Sequence, residues 1–211
     1  MQNPVIILGA QKLGTAALDI FFSNSVVVYC FLEDSKELQQ QEVNNVAIMS
    51  STEDGEFLKL IGKKCDVFVA VEDAAARKGL IKMLKEEYQV VPVNAIHRFS
   101  FVSEFAWLGH GNMVAAGAII NNNAKIGNNV MVQSRALVDS YAEIGDFVQI
   151  GAGAVVNSEV VVEEGAFIGS GAVIVSGVKI GKNARVGAGA VVVADVPAKA
   201  TVFGNPAAPI K

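Results

Sequence analysis

Aliphatic residues recur at every sixth position through the second half of the chain. The series runs from Ile96 to Val192, and each of its seventeen members is Ile, Val or Leu. Four residues after each of them comes Ala or Val, with two exceptions, Ser100 and Asn112. A helical face needs apolar residues at spacings of three and four, and a half-buried strand needs alternation, so neither has this period. Period six predicts short strands joined by tight corners, three to a triangular coil, in a parallel β-helix.

The first part of the chain has a different pattern, in which apolar runs alternate with amphipathic stretches. This alternation predicts an α/β domain with a small parallel sheet of three strands, spanning residues 1–92, in front of an all-β domain spanning 93–211. The expected elements are strands in 4–10, 25–34 and 65–71 and helices over Lys12 to Ser23, Glu53 to Gly62 and Ala74 to Tyr88.

Composition excludes several classes of partner. The formal net charge is −4, and no cluster of Lys and Arg forms a basic surface, so we expect neither nucleic-acid nor membrane-surface binding. Mean hydropathy is +0.41, but the longest uncharged run, 105–124, is broken by Gly and Asn, and we expect no membrane insertion. The N-terminus has no secretory pattern, which favours a cytoplasmic protein. Cys30 and Cys65 lack metal-site or redox spacing and are expected to be buried, reduced thiols.

A glycine-rich turn follows the first predicted strand. Gly9, Gln11 and Gly14 stand where such a turn lets a phosphate approach a helix N-terminus, and Glu33 and Asp34 end the second strand, where a ribose or base contact is usual. Because Gln11 replaces a glycine of the fingerprint, a plain strand-to-helix turn is an equal alternative. Three strands make half of a dinucleotide fold, so a mononucleotide or nucleotide sugar fits better than NAD.

The repeat [LIV]-G-x-x-[AV]-x and the ending "VGAGAVVVADVPAKATVFGNPA" resemble the left-handed β-helix of hexapeptide-repeat acyltransferases. Together with "FLED", "EDAAAR" and "NAIHRF", they resemble the sialic-acid O-acetyltransferase and nucleotide-aminosugar N-acetyltransferase family over the whole chain. The resemblance implies a Rossmann-like front domain that holds a nucleotide sugar, with Asp73 and Arg77 added to the residues of the turn. It also implies a homotrimer that uses acetyl-CoA or another acyl-CoA. Because the chain has only two His, poorly placed for a three-His site, no metal is expected. The residues it places beside the acyl-CoA are Gly151, Gly153, Gly169, Gly171, Ala172, Lys182, Gly187 and Gly189.

The family's catalytic residues fall on substituted positions. Its general-base histidine corresponds to Ser140, the acid that orients this histidine to Tyr141, and a second histidine to Gln149. A serine hydroxyl stays protonated near neutral pH, and a positioned base contributes about 10²- to 10⁴-fold to the rate. His110 is a substitute base if a neighbouring subunit brings it near, whereas His97 is expected to be structural.

Four further acidic residues are interpreted from their positions in the repeat and in the front domain. Asp139, Glu143 and Asp146 have the pattern of ordinary solvated corners, and Glu72 stands where the family has a glycine. The resemblance, with its substituted catalytic positions, implies one of two function classes. The first is an acyl-CoA-dependent transferase that acts on an amino or hydroxyl group of a small-molecule acceptor, a sugar or nucleotide sugar of bacterial surface glycans. The second is a catalytically silent trimeric homologue.

Overall fold

The structure, a computed structural model, describes residues 3–209. It forms two compact units, and the boundary between them in the sequence falls between Ala95 and Ile96. Within the described range, no helix is both long enough and apolar enough to cross a membrane.

The first unit is a parallel sheet flanked by helices. Its elements are β1 (Val5–Leu8), α1 (Lys12–Ser23), β2 (Val28–Leu32), β3 (Glu42–Val43), β4 (Val46–Ser50), α2 (Gly55–Leu58), β5 (Asp66–Val69) and α3 (Ala74–Glu87). The sheet order is β3-β4-β2-β1-β5, with β4, β2, β1 and β5 parallel and β3 antiparallel to β4. The prediction of three strands is therefore wrong. The two additional strands form a hairpin whose turn residues, Asn44 and Asn45, both have positive φ, as a two-residue hairpin requires.

The three predicted helices differ in how closely they match. Helix α1 has the predicted bounds, and α3 ends one residue earlier than predicted, with Tyr88 as its C-cap. Helix α2 is a single turn rather than the predicted stretch from Glu53 to Gly62. The Asp54 side chain accepts a hydrogen bond from the Glu56 N–H and fixes its start, as an N-cap does. The chain then turns back at Gly62, whose φ is +75°.

The second unit consists mainly of two-residue strands, which are arranged in three parallel sheets. These strands are β6 (Ala95–Ile96), β7 (Phe101–Val102), β8 (Trp107–Leu108), β9 (Met113–Val114), β10 (Ile119–Ile120), β11 (Lys125–Ile126), β12 (Met131–Val132), β13 (Leu137–Val138), β14 (Glu143–Ile144), β15 (Gln149–Ile150), β16 (Val155–Val156), β17 (Val161–Val162), β18 (Phe167–Ile168), β19 (Val173–Ile174), β20 (Lys179–Ile180), β21 (Arg185–Val186) and β22 (Val191–Val192), followed by β23 (Thr201–Phe203) and β24 (Ala208–Pro209).

The strands build a prism with three faces. Face 1 contains β6, β9, β12, β15, β18 and β21 and is extended by β23 and β24. Face 2 contains β7, β10, β13, β16, β19 and β22, and face 3 contains β8, β11, β14, β17 and β20. Along each face, a residue pairs in parallel with the residue 18 positions later, as Ile120 does with Val138. Three hexads therefore make one coil, as the period predicts, and the arrangement fits the left-handed β-helix.

The prism core is formed by the residues that define the hexads. From Val114 to Val192 every sixth residue is buried, and the Ala or Val four positions later is buried beside it. In the first coil, Ile96, Val102 and Leu108 are only partly buried. Asn112, an exception to the pattern, is fully buried, and its Oδ1 accepts a hydrogen bond of 2.7 Å from the Val130 N–H. Its amide therefore takes the place of the usual small apolar side chain.

Both cysteines lie in the core of the first unit, free and buried as expected. Burial, with a smaller contribution from Cys65, raises the pKa of the Cys30 thiol to about 12. The thiolate is the reactive form, so Cys30 is inert in the folded protein.

Candidate functional site

Ser140 lies at the corner between faces 2 and 3, here called corner 2–3, in the turn from β13 to β14. Its Oγ donates a hydrogen bond of 2.8 Å to Oδ1 of Asn122, the residue one coil earlier. It is also 3.5 Å from Oδ1 of Asp139. No histidine takes part in these contacts. The hydroxyl proton is therefore directed at a neutral amide, and Ser140 is not activated as a nucleophile.

Asp139 is more than a solvated corner residue, which corrects the sequence-based interpretation. Its Oδ1 accepts hydrogen bonds from Asn121 Nδ2 at 2.7 Å and from the Ser140 N–H at 2.8 Å. The Asn121 bond, with the help of Ser140, holds the pKa of the carboxyl below its usual value. Across residues 3–209, nothing donates to its second oxygen, Oδ2. A half-buried carboxylate with one unoccupied oxygen therefore stands beside Ser140.

The other predicted catalytic residues do not meet Ser140 within one chain. Tyr141 shares its corner and is 58% exposed, with φ of +62°. Gln149 is on β15, in face 1. His110 follows β8, at the corner between faces 3 and 1, and its backbone N–H donates to Oδ1 of Asn128. A single subunit therefore brings together only Ser140 and Tyr141 of the four.

His97 has a structural role, as predicted. It is buried, and its Nδ1 accepts the Phe99 N–H at 3.0 Å. Because Nδ1 is an acceptor, the proton of the neutral ring is on Nε2. The ring thus fixes the first turn of the prism.

The glycines predicted to lie beside acyl-CoA share corner 1–2, the corner between faces 1 and 2, but they form two groups. A Cβ at the first group, Gly151, Gly169 and Gly187, would collide with the next coil or with the Phe203 ring. The second group, Gly153, Gly171 and Gly189, has φ near +66° and open space where a Cβ would point. This second group gives corner 1–2 a bare backbone surface.

Two other residues of that prediction are placed elsewhere. Ala172 is fully buried in the prism core, so its side chain contacts no ligand at the surface. Lys182 lies at the corner between faces 3 and 1, away from the glycines of its own chain, and its Nζ forms an ion pair of 2.7 Å with Glu164. Arg185, on face 1, has its guanidinium 4.8 Å from the centre of the Phe167 ring. One subunit therefore supplies corner 1–2 with glycine backbone rather than with the predicted cation.

The first unit has a pocket at the carboxyl ends of β1, β2 and β5, of about 240 Å³. Five of the seven residues predicted to bind substrate line this pocket, and the other two, Gly14 and Arg77, do not. The lining consists of Gly9, Gln11, Glu33, Asp34, Thr52, Ala70, Val71, Glu72 and Asp73. Ligands of open α/β sheets bind at this end of the strands.

The two acidic residues after β2 accept hydrogen bonds from the loops that surround this pocket. Glu33 is buried, and its two carboxylate oxygens accept the Ala10 N–H at 2.9 Å and the Ser35 N–H at 3.1 Å. Asp34 is exposed and accepts from both the N–H and the hydroxyl of Thr52. Glu33 therefore fastens the glycine-rich turn to β2. Thr52, which sequence reasoning missed, lies on the loop after the unpredicted β4.

Gly14 and Arg77 lie behind the pocket. A Cβ on Gly14 would collide with the Gly9 carbonyl, so α1 packs directly on the turn. Arg77 is 2% exposed, and its Nη1 donates to the carbonyls of Val71 and Glu72 at 2.9 and 3.3 Å. Burial lowers the pKa of its guanidinium. Its bonds support the β5–α3 turn, whose N-cap, Asp73, accepts the Ala76 N–H, so Arg77 acts on the pocket through this turn.

Metal ligands are not assembled in the part of the chain that the structure describes. Residues 3–209 contain no group of three or more His, Cys, Asp or Glu side chains placed to hold an ion.

The comparisons with known proteins agree with this architecture. Residues 141–176 and 159–194 match the family "Bacterial transferase hexapeptide (six repeats)". Among curated proteins, none matches the chain in sequence.

Three solved structures are similar over nearly the full length. PerB from Caulobacter crescentus, in complex with CoA and GDP-perosamine, is 28% identical, with a TM-score of 0.89 and coverage of 100% of this chain and 99% of that one. The acetyltransferase domain of PglB from Neisseria gonorrhoeae, in complex with acetyl coenzyme A, is 27% identical, with a TM-score of 0.89 and full coverage of both chains. WeeI from Acinetobacter baumannii is 26% identical, with a TM-score of 0.86 and coverage of 98% and 99%. The chain thus contains hexapeptide repeats and resembles, over its whole length, solved structures of the nucleotide-aminosugar N-acetyltransferase family.

Proposed function

We propose that this protein is an acyl-CoA-dependent acetyltransferase that modifies an amino or hydroxyl group of a sugar or nucleotide sugar in bacterial surface-glycan synthesis. The observation that carries the proposal is the full-length similarity to a perosamine N-acetyltransferase crystallised with both CoA and GDP-perosamine. A fold match alone would not support an activity. Here both the prism and the front unit are matched, and each retains a surface suited to one substrate.

Corner 1–2 is the proposed surface for acyl-CoA. Gly153, Gly171 and Gly189 stack one above another at 18-residue intervals and leave their backbone uncovered. A pantetheine arm is long, narrow and rich in amides, so it fits a column of accessible backbone N–H and carbonyl groups. Such groups also serve as oxyanion donors during acyl transfer.

The pocket of the first unit is the proposed surface for the nucleotide part of the acceptor. Gln11 is the N-cap residue of α1 and its side chain forms no cap hydrogen bond, and uncapped N–H groups at this end of a helix bind phosphate. The exposed carboxylate of Asp34 is available to a ribose or base on the opposite wall. We propose a cytoplasmic location because acetyl-CoA and nucleotide sugars are made there.

The substituted catalytic positions do not by themselves favour the silent alternative. Two further structures of the Caulobacter crescentus enzyme, in which one histidine is replaced by asparagine or alanine, still hold CoA and GDP-perosamine. Binding of CoA and GDP-perosamine in that protein therefore does not depend on this histidine. None of the similar structures named above favours a non-catalytic role.

The proposal is tested with purified protein and acetyl-CoA. We expect micromolar binding in calorimetry and release of free CoA thiol in the presence of a nucleotide-linked amino sugar. The acceptor panel is GDP-perosamine, a UDP-linked amino sugar and the corresponding free sugars. Binding of neither CoA nor any acceptor would overturn the proposal. Binding of both without thiol release would support the silent alternative.

We further propose a homotrimer assembled through face 2 of the prism. Every outward-facing strand residue of this face is apolar: Phe101, Ile119, Leu137, Val155, Val173 and Val191. Phe101 is 58% exposed and Ile119 39%. On face 3 the same positions include Lys125, Glu143 and Lys179. An uninterrupted apolar stripe of this kind marks a surface covered by another protein chain.

Val155→Asp should shift the protein from trimer to monomer at micromolar concentration, because each subunit would bury an unpaired carboxylate. The measurement is sedimentation velocity. Val161→Asp is the matched control. Val161 is also a half-buried, outward-facing valine, but it lies on β17, the next strand along the chain, which belongs to face 3. Equal dissociation of both variants would remove the assignment to face 2.

A further inference from the structure

Corner 2–3 contains a carboxylate whose placement gives it a chemical role. The residues stacked above and below Asp139 at this corner are Ser103, Asn121, Asn157, Val175 and Val193. Asp139 is thus the one ionisable side chain in its column. The other positions of the corner add four titratable groups, Glu104, Tyr141, Glu159 and Asp195, and none of them forms a hydrogen bond with Asp139.

The hydrogen bonds of Asp139 orient its carboxylate but involve only one of its two oxygens. Asn121 and the Ser140 backbone occupy Oδ1 and fix the plane of the carboxylate. Oδ2 accepts nothing from residues 3–209. Both donors are neutral groups, an amide and a backbone N–H, so no cation offsets the charge of the carboxylate in these contacts.

The small side chain of Ser140 is the second part of the arrangement. The serine side chain is smaller than that of histidine by the imidazole ring. The Ser140 hydroxyl is turned toward Asn122, 2.8 Å away, and its lone pairs remain able to accept an N–H. An incoming amine can therefore reach the carboxylate directly, and Ser140 supplies a second acceptor that orients it.

We propose that Asp139 takes up the proton of the acceptor amine, in the place that histidine fills in the family this chain resembles, and that the acceptor is consequently an amine rather than a hydroxyl. This inference rests on the proposed function. The amine nitrogen attacks the thioester carbonyl, a C–N bond forms, and the carbonyl oxygen becomes an oxyanion. Asp139 Oδ2 accepts one N–H proton, the oxyanion collapses with cleavage of the C–S bond, and the carboxylic acid returns the proton to the CoA thiolate. The products are an amide and free CoA.

The preference for an amine follows from acid–base strength. The lowered pKa of Asp139 keeps it ionised at neutral pH but makes it a weak base, unable to deprotonate a sugar hydroxyl. An attacking amine becomes strongly acidic as its nitrogen acquires positive charge, so a weak base suffices. The pH profile of kcat/KM should therefore follow the deprotonation of the acceptor amine, without the inflection near 6.5 that a catalytic histidine gives.

Asp139→Asn is the decisive variant, compared with Ser158→Ala at the same corner one coil later. We expect Asp139→Asn to lower kcat/KM for N-acetylation by about 10²-fold, the lower end of general-base contributions, and Ser158→Ala to leave it unchanged. The melting temperature of each variant establishes that it is folded. Unchanged turnover in Asp139→Asn would overturn the assignment. Loss of turnover in His110→Gln, together with an inflection near pH 6.5 in the parent protein, would also overturn it, because both results would identify His110 as the base.

A binding measurement separates this inference from the proposed function. In calorimetry, GDP-perosamine should bind about tenfold more tightly than the GDP-sugar in which a hydroxyl replaces its amino group, since a charged hydrogen bond to the ammonium is worth at least this factor. Asp139→Asn should erase that difference while both sugars still bind. An unchanged preference in the variant overturns the role of Asp139 alone. Failure of the parent protein to bind acetyl-CoA or any nucleotide sugar overturns the proposed function, and this inference with it.

Discussion

Replacing Ser140 by histidine should raise kcat/KM for amine acetylation by about 10- to 100-fold, because it adds a stronger base at the position where the acceptor is expected. Asp139, next to it with Oδ2 unoccupied, would orient the new imidazole and stabilise its protonated form. The rate should then acquire a second ionisation near pH 6.5. Thiol release measured from pH 5.5 to 9 tests both expectations.

The matched control for this gain is Ser158→His. Ser158 has the same place in its turn one coil later, and its Oγ is 3.3 Å from that of Ser176. Histidine there is outside the proposed site, so rate and pH profile should stay as in the parent protein. A gain of equal size in both variants would show that position within the corner does not matter.

The second large effect concerns the stability of the prism. Gly169→Ala should lower the free energy of unfolding by about 3 kcal/mol, the upper range for overpacking, because its Cβ would lie 2.5 Å from the Ala188 nitrogen and 2.6 Å from the Gly187 carbonyl carbon. Both are backbone atoms of the next coil and cannot rotate away. Gly171→Ala, two residues on, should cost only about 1 kcal/mol, the price of left-handed backbone for a residue with a Cβ, since open space surrounds it.

Trp107 makes this comparison specific to the prism. It is the sole tryptophan of the chain and lies on β8 in the second unit. Its fluorescence during guanidinium unfolding therefore reports this unit rather than the α/β unit. Equal guanidinium midpoints for Gly169→Ala and Gly171→Ala would contradict the close packing of Gly169 against the backbone of Ala188 in the next coil.

The prism was predictable because one rule fixes it. Any residue can be assigned to a face or corner by counting in steps of 18, which separates His110 and Gln149 from Ser140 before a structure is consulted. The same count brings Asn121 beside Asp139, so the hydrogen bond between them could have been anticipated from the stacked column. Reading the chain only along its sequence left Asp139 as a solvated corner.

The α/β unit was harder to predict. The hairpin of β3 and β4 has one strand of two residues and a turn of two asparagines, Asn44 and Asn45, which gives a weak periodic signal. The inward direction of the Glu33 carboxylate depends on where the Ala10 and Ser35 N–H groups come to lie. Such contacts across the sheet follow from tertiary packing, and nothing in local sequence separates an acid that faces a ligand from one that ties a turn.

The 18-residue register also determines how this half of the chain can change in length. Removing one whole coil, for example residues 157–174, would leave every later residue on its original face and shorten the column by a single strand spacing of about 4.8 Å. Removing six residues would instead turn everything downstream by one third of a revolution, which would transfer Arg185 and the Gly187 corner to other faces. Insertions and deletions in the prism are therefore tolerated in whole coils, and a fractional one would separate the two ends of any surface that spans it.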